Sequence, residues 1–279
     1  MKDKRIDWTA AAVFALVLAL SSLWGAHERA ATAKEKAADL QAKAQAEERD
    51  LVQQSELPVL SKKETSVLRE LISALENRKL KEASIVISRE EELFVELFYE
   101  KMDGRRYLFD GQNLKAEIDG EGLVLTKAGT VFYGSFQGGR PHGSCLALQV
   151  VDLEAPRYDY ADGLWQNGVM EGEGSTGYCY YQGGPIEEAR AVCRKGRFSG
   201  NLMEGKVTYR TTNDKKEAAV WNITVKDGVV VLDDRWTYLK DQREYQLMAT
   251  DNGSHAYVLG EDQARQPMWA NILQWEEEN

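Results

Sequence analysis

The stretch VFYGSFQGGRPHGSC, residues 131–145, decides the fold because its pattern of glycines and aromatic residues recurs along the chain. Counted from Gly134, an aromatic residue follows two positions later, and glycines follow five and nine positions later. The same spacing recurs from Gly163, from Gly196 with Asn201 in place of the middle glycine, and in weaker form from Gly111. Four matches in register predict a repeat array in which these residues are structural. The predicted repeat positions are Gly111, Gly120, Gly134, Phe136, Gly139, His142, Gly143, Gly163, Trp165, Gly168, Gly172, Gly196, Phe198 and Gly205.

Each repeat is predicted to be one β-hairpin. Its middle Gly-Gly or Asn-Gly pair supplies the positive φ angles that a two-residue hairpin turn requires. The glycines nine and eleven positions on leave bare backbone, against which the aromatic ring of a neighbouring hairpin can lie. A fifth, degraded repeat places Gly228 in the middle-glycine position. Neighbouring hairpins then stabilise one another through their interfaces.

The segments FYGSFQGGRPHGSC and DGLWQNGVMEGEG resemble MORN repeats, whose units run roughly YEGEWKNGKRHGKG. The resemblance covers residues 109–232. It departs from the family pattern where Glu171 and Glu204 replace the histidine, where leading tyrosines are missing and where segments between repeats are long. The resemblance implies an elongated antiparallel sheet of MORN-like hairpins, in a mainly β protein. It also implies a role as an assembly or membrane-organising platform rather than as an enzyme.

The repeat domain is predicted to span residues 83–260, with a packing helix at 58–82 and a C-terminal capping tail at 261–279. The runs ASIVIS (83–88) and ELFVELFYE (92–100) are rich in β-branched and aromatic residues, which predicts strands. A strand-rich region with no intervening helical pattern excludes a doubly wound α/β fold.

Two segments are predicted to cover the ends of the array. Ser61 and Glu64 form a capping-box pattern before an apolar stripe, so this helix is expected to pack against one end of the sheet. The tail segment MWANILQW (268–275) is expected to cover the last repeat. The stripe consists of Val67, Leu68, Leu71, Ile72 and Leu75.

The N-terminal part predicts a single-pass membrane anchor. Residues 1–7 form a cytoplasmic leader, and 8–26 form an apolar helix flanked by tryptophans, long enough to cross a bilayer. A cleaved signal peptide is the alternative. Residues 27–57, rich in Ala, Glu, Lys and Gln, predict a helical stalk or a weak coiled coil, which would allow weak homo-oligomers. The basic leader favours a cytoplasmic N-terminus and an extracytoplasmic repeat domain.

Charge and motifs argue against several classes of function. The formal net charge of −10 disfavours nucleic acid as a partner. The glycine-rich stretch matches no phosphate-binding motif, so no cofactor is predicted. The acid pairs Asp119/Glu121 and Glu171/Glu173 are interpreted as a solvated face, and His142 as a packed histidine, so neither a metal site nor a catalytic site is predicted. The three cysteines allow either one Cys179–Cys193 disulfide or three small buried hydrophobes.

An aromatic strip is the remaining candidate for a binding surface, and it consists of Tyr158, Tyr160, Tyr178 and Tyr180. These rings either bind a ligand or form the core of the array. The predicted function is a non-catalytic, membrane-anchored scaffold or protein-binding module at the cell envelope. The alternative is an extracytoplasmic receptor for a glycan or peptide, or an enzyme, that uses the aromatic strip.

Overall fold

The structure is a computed structural model that describes residues 57–151, 156–181, 190–241, 243–247, 256–259 and Trp275. These residues belong to one compact unit that begins at Leu57. The predicted leader, membrane anchor and stalk lie outside the described residues, apart from Leu57, and so does the C-terminal tail apart from Trp275. Within the described ranges, no helix combines the length and apolarity that crossing a bilayer requires.

A layer of helices precedes the sheet. It consists of α1 (Lys62–Glu76), α2 (Leu80–Arg89), α3 (Glu91–Val95) and a π-helical segment (Glu96–Lys101). The predicted capping box is confirmed: Ser61 Oγ accepts a hydrogen bond from the Glu64 N–H, and the Glu64 carboxylate accepts one from the Ser61 N–H. The predicted apolar stripe is buried, except for the half-buried Ile72.

Two predicted strands are wrong, because residues 83–88 lie in α2 and residues 92–100 lie in α3 and the π-helical segment. In the second run the buried residues are Leu93, Leu97 and Phe98, which is helical spacing and not alternation. In the first run, the β-branched residues favour a strand by local propensity, but packing of α2 on the sheet outweighs that preference. Strand structure therefore begins at Leu108.

The main sheet has eleven strands among the described residues, and all neighbouring strands in it pair antiparallel. From β3 onward, the strands follow one another in space in chain order, up to β11 at the edge. The strands are β1 (Leu108–Phe109), β2 (Leu114–Lys115), β3 (Gly120–Leu125), β4 (Thr130–Gln137), β5 (Arg140–Val151), β6 (Arg157–Gln166), β7 (Val169–Tyr180), β8 (Ala191–Ser199), β9 (Leu202–Thr212), β10 (Ala218–Lys226) and β11 (Val229–Val230). The prediction of a mainly β protein built on a long antiparallel sheet is confirmed.

The repeat turns have the predicted conformation. In four hairpins, two consecutive residues have positive φ, as a two-residue turn that follows the twist of the strands requires. These pairs are Gly138-Gly139, Asn167-Gly168, Gly200-Asn201 and Asp227-Gly228. The last pair confirms the degraded fifth repeat. In each turn the second N–H also donates to a carbonyl of the preceding repeat, from Gly139 to Ile118 (3.3 Å), Gly168 to Pro141 (2.9 Å), Asn201 to Met170 (3.1 Å) and Gly228 to Met203 (2.9 Å).

The glycines nine positions on share one geometry. Gly143 and Gly172 have φ of +86° and +92°, and each lies directly opposite the aromatic residue of the next repeat, Trp165 or Phe198. Gly120 and Gly205 also have positive φ, and they lie opposite Phe136 and Val225. The aromatic residues are buried on one face of the sheet, as the spacing predicts.

The first repeat departs from the predicted hairpin. Gly111 lies in the turn between β1 and β2, and β1 lies between β2 and β3 in the sheet. Asp110 closes this turn, because its Oδ1 accepts hydrogen bonds of 2.9 Å from the N–H groups of Gln112 and Asn113. Only the second half of this repeat, from Gly120 onward, matches the later ones.

The two faces of the main sheet are covered by different elements. On the helix-side face, α1 contacts β4, and α2 contacts β5 and β6. The helix expected at one end of the sheet therefore packs on a face of the sheet, over β4, and not at its edge. On the opposite face lie the repeat aromatics and a second sheet of β12 (Trp236–Leu239), β13 (Glu244–Leu247) and β14 (Tyr257–Leu259).

The expected cover of the last repeat differs from the one observed. Trp275 packs on Phe132 and Phe136 of β4, with ring centroids 5.0 and 5.8 Å away, and so lies far along the sheet from the last hairpin. The second sheet contributes Trp236 and Leu247 to the core that includes the last hairpin. Sheet order is a tertiary property, so the tail's position could not be derived from its sequence distance.

Candidate functional site

The acid residues that precede each turn have a structural role that sequence reasoning missed. The residue eight positions after a repeat's first glycine accepts a hydrogen bond from the first N–H of the next turn, so this carboxylate links successive hairpins. The pairs are Asp119 with Gly138 (2.6 Å), Glu171 with Gly200 (2.8 Å) and Glu204 with Asp227 (2.8 Å). Asp119 is exposed and Glu171 half-buried, so these acids do face solvent, but each also makes a structural hydrogen bond that the interpretation as a solvated face did not include. The sequence signal for this role is the recurrence of an acid eight positions after the first glycine of a repeat, followed in each case by another turn pair.

His142 occupies the same repeat position as these acids. It is half-buried, and its Nδ1 has no hydrogen-bond partner among the described residues. Among the described residues, no three His, Cys, Asp or Glu side chains are grouped so that they could hold a metal ion. His142 thus occupies a structural position of the repeat, where the other repeats place a carboxylate.

The four candidate tyrosines separate onto the two faces of the sheet. Tyr178 and Tyr180 are 1% and 4% exposed in the core of the opposite face, and the Arg157 guanidinium lies over both rings, at 5.1 and 5.8 Å from their centroids. Tyr158 and Tyr160 lie on the helix-side face. Burial therefore makes the first two core residues. Tyr158 and Tyr160 border a concave surface, to whose lining Tyr178 also contributes.

That concave surface, here called the tyrosine groove, lies where the helical layer ends and has a volume of about 540 Å³. The sheet contributes Tyr158, Tyr160 and Arg210, and the turn between α1 and α2 contributes the opposite wall. A cavity of this size accommodates a drug-sized ligand or a few residues of a peptide. The turn residues that line it are Arg78, Lys79, Leu80, Lys81 and Glu82.

The groove is rich in positive charge although the chain is acidic overall. Arg78 forms an ion pair of 2.9 Å with Asp162, and Lys79 forms one of 3.2 Å with Glu82. Lys81 and Arg210 are exposed and form no ion pair with another described residue. The unpaired charges give the groove an attraction for anionic groups.

The two groove tyrosines are poor acids. Burial raises the pKa of Tyr158, and the neighbouring Cys179 raises it further. Burial also raises the pKa of Tyr160, with a further contribution from Cys193. Both phenols therefore stay protonated at physiological pH and can donate hydrogen bonds.

The cysteines are all free thiols. Cys145 is fully buried, and burial raises the pKa of its thiol. Cys179 lies opposite Ala191 and Cys193 lies opposite Gly177, so the two cysteines are diagonal neighbours on one face. Diagonal Cα separations of roughly 7–8 Å exceed the usual disulfide range. Of the two interpretations of the cysteines, the structure thus shows the thiols and not the Cys179–Cys193 disulfide.

The cations of the groove could not be found from sequence. Arg78 and Lys81 lie more than a hundred positions before Arg210, and no motif connects them. Comparison with known proteins adds no family to these observations. A scan against protein-family models finds no matching family, and a search of curated proteins finds no matching sequence.

Proposed function

We propose that this chain is a non-catalytic, membrane-anchored scaffold at the cell envelope that holds a partner protein in the tyrosine groove. The observation that carries the proposal is the groove itself, which combines a tyrosine wall with positive charge on an acidic protein. Such a surface suits an acidic segment of another protein. Aromatic side chains and arginine are enriched in protein interfaces, and complementary charge guides association.

The helix-side face extends the groove in one direction. The helices pack over the first strands, whereas Lys195, Arg197 and Lys206 of β8 and β9 are exposed. Arg210 lies on the same face, since residues two apart along a strand share a face. A partner segment that fills the groove can therefore continue along a row of basic side chains.

The groove residues support binding rather than bond-breaking chemistry. Its phenols stay protonated, and its paired cations Arg78 and Lys79 hold the turn in place. The repeat glycines form turns, and the repeat acids Asp119 and Glu171 accept hydrogen bonds from turn N–H groups. A catalytic site would need these residues for chemistry, whereas here they have structural roles. These observations support a binding role.

The membrane anchor, the extracytoplasmic location and the likeness to MORN repeats enter this proposal from the sequence. The apolar segment at 8–26 supports the anchor, and the basic leader supports the orientation. The recurring hairpins support a repeat scaffold of the MORN type.

Weak self-association through the stalk is also part of the proposal. Light scattering of the chain with and without residues 27–56 tests it.

Affinity capture from membranes tests the proposed function, with the full chain as bait. We expect Tyr160→Ala and Arg210→Glu to lose a protein partner that the wild type retains. Lys240→Glu, which changes an exposed cation after β12 of the second sheet, away from the helix-side face, is the matched control and should retain it. All four baits must also have equal melting temperatures, which shows that a lost partner does not reflect a loss of folding. Identical captured proteins for all four baits would show that the groove does not hold the partner.

A glycan ligand is the second candidate, because tyrosine rings also stack on sugars. The positive charge of the groove favours an acidic glycan over a neutral one. Binding of a polyuronate oligosaccharide, but of no protein, in the same set of variants would favour this alternative.

A further inference from the structure

A second cavity lies on the helix-side face, between the helical layer and the turn that joins β3 to β4. Its volume is about 330 Å³. The helices contribute Ile87, Phe94 and Phe98, and the sheet contributes Leu125, Val131 and Val150. The cavity is thus apolar on both sides, and it is separate from the tyrosine groove, with which it shares no lining residue.

Several hydroxyl groups in the cavity wall are already hydrogen-bonded within the protein. Ser88 Oγ and the Tyr181 hydroxyl share a hydrogen bond of 2.6 Å. The Tyr99 hydroxyl donates to the Lys127 carbonyl at 3.1 Å. Because these polar groups are satisfied within the protein, the interior of the cavity favours an apolar ligand over a polar one.

The π-helical segment shapes one wall of the cavity. Its wide turn, in which the Met102 N–H bonds to the Leu97 carbonyl at 2.9 Å, lets the successive residues Phe98 and Tyr99 both line the cavity. Short π-helical turns occur frequently at functional sites. Tyr99 and its neighbour Val95 are each 51% exposed, so large apolar side chains at the cavity remain in water.

Two charged residues also line the cavity. Lys127 comes from the β3–β4 turn and Glu91 from the start of α3, and both are exposed. Lys127 has no ion-pair partner in the part of the chain that the structure describes. An apolar tail with an anionic head therefore finds a matching cation next to an apolar interior.

We propose that this cavity binds a straight-chain fatty acid, with the acyl tail inside and the carboxylate at Lys127. A methylene group occupies roughly the volume of a water molecule, about 30 Å³, so the cavity holds a tail of about ten carbons. Each methylene removed from water should tighten binding by about fourfold until the cavity is full.

Equilibrium dialysis with radiolabelled fatty acids tests the proposal, with the full chain in lipid nanodiscs and empty nanodiscs as the blank. We expect one saturable site per chain. Affinity should rise about fourfold per methylene from hexanoate to decanoate and stop rising by tetradecanoate. Lys127→Ala should weaken decanoate several-fold and leave uncharged decanol unchanged. Absence of saturable binding above the blank, or affinity that does not depend on chain length, overturns the proposal.

A cavity-filling variant locates the site. Ile87→Trp should weaken decanoate binding at least tenfold, whereas Ile85→Trp should not, because Ile85 lies on the same helix but lines a different cavity. Val150→Phe serves as a second filling variant should Ile87→Trp fail to fold. Unchanged decanoate binding by a folded filling variant overturns the assignment.

Discussion

At the scale of single residues, this fold depends on backbone conformations that only some residues adopt. The glycines nine positions into each repeat have φ between +80° and +97°. At Gly205 an added Cβ would meet no atom within 4 Å, so space is not the constraint there. At Gly163, by contrast, φ is ordinary, and an added Cβ would overlap the backbone of Glu173 and Gly174 on the neighbouring strand. The repeat thus uses glycine for two different physical reasons.

Gly205→Ala tests the conformational reason alone. We expect a loss of about 1–2 kcal/mol in the free energy of unfolding, because an L-residue at positive φ is strained. Ser199→Ala, an exposed change on the neighbouring strand, should cost less than about 0.5 kcal/mol. Urea denaturation measures both, and equal costs would contradict the explanation.

Glu171→Ala tests the link between hairpins. Removal of the acceptor for the Gly200 N–H should cost about 1 kcal/mol, whereas Glu171→Gln should cost less because its amide oxygen still accepts. Glu173→Ala, which changes the exposed carboxylate two positions on, is the control. A Glu173 variant as destabilised as the Glu171 variant would rule out a specific link.

His142→Glu should stabilise the protein. It places a carboxylate where the other repeats have one, next to the Asn167-Gly168 turn. We expect a gain of roughly 0.5–1.5 kcal/mol in the free energy of unfolding, measured by thermal or urea denaturation. Destabilisation by this change would show that His142 has a partner of its own.

At the scale of elements, turns and caps join the helical layer to the sheet. Glu64 closes the N-terminus of α1 and also forms an ion pair with Lys101 at the end of the π-helical segment. Asp110 closes the β1–β2 turn. Backbone hydrogen bonding from Asn113, together with the Lys115 ammonium, lowers the pKa of Asp110 to about 2. These carboxylates hold irregular backbone in place where the periodic pattern begins.

Asp110 should make stability depend on acid pH. Its folded pKa of about 2 lies below its ordinary value of 3.8, so it stabilises the fold above pH 4, and this contribution disappears as the pH falls from 4 to 2. We expect Asp110→Asn to cost roughly 1 kcal/mol at neutral pH, allowing for solvent screening, and only a small part of that at pH 2, where the pH reaches the folded pKa. Asp103→Asn, at an 86% exposed side chain, is the control for urea denaturation across this range. A cost that stays constant down to pH 2 would contradict the assignment.

At the scale of the whole molecule, the array is stabilised mainly between neighbours, and its faces are covered by segments distant in sequence. Each strand from β3 to β10 contacts the next along the chain. Trp275 crosses back to β4, where the Arg106 guanidinium lies 4.3 Å from the ring centroid. Trp275 therefore covers the first complete repeat on the face of the sheet that carries the repeat aromatics.

Trp275→Ala should destabilise the domain, because it uncovers Phe132 and Phe136. Since the ring is only partly buried, we expect a loss of up to roughly 3 kcal/mol, at the lower limit for core tryptophans. Tyr238→Ala, at a 37% exposed ring of the second sheet, should cost clearly less. Equal melting temperatures for wild type and Trp275→Ala would show that the tail does not cover this face.

The sequence by itself determined the four hairpin turns between β4 and β11, because each depends on two adjacent residues that tolerate positive φ. For the first three of these hairpins it also placed a glycine opposite the aromatic residue. Those are local requirements, and spacing reveals them. It also determined the capping box of α1, which needs only Ser61 and Glu64.

Only the tertiary structure decided which face each element covers. Residues 83–100 fold as helices because they pack on the sheet, although their β-branched residues favour strands. The tyrosine groove unites Arg78 with Tyr160 and Arg210, and the second cavity unites Ile87 with Val131 and Val150. Such contacts join residues far apart in the chain, and their energy exists only once the sheet and the helical layer have met.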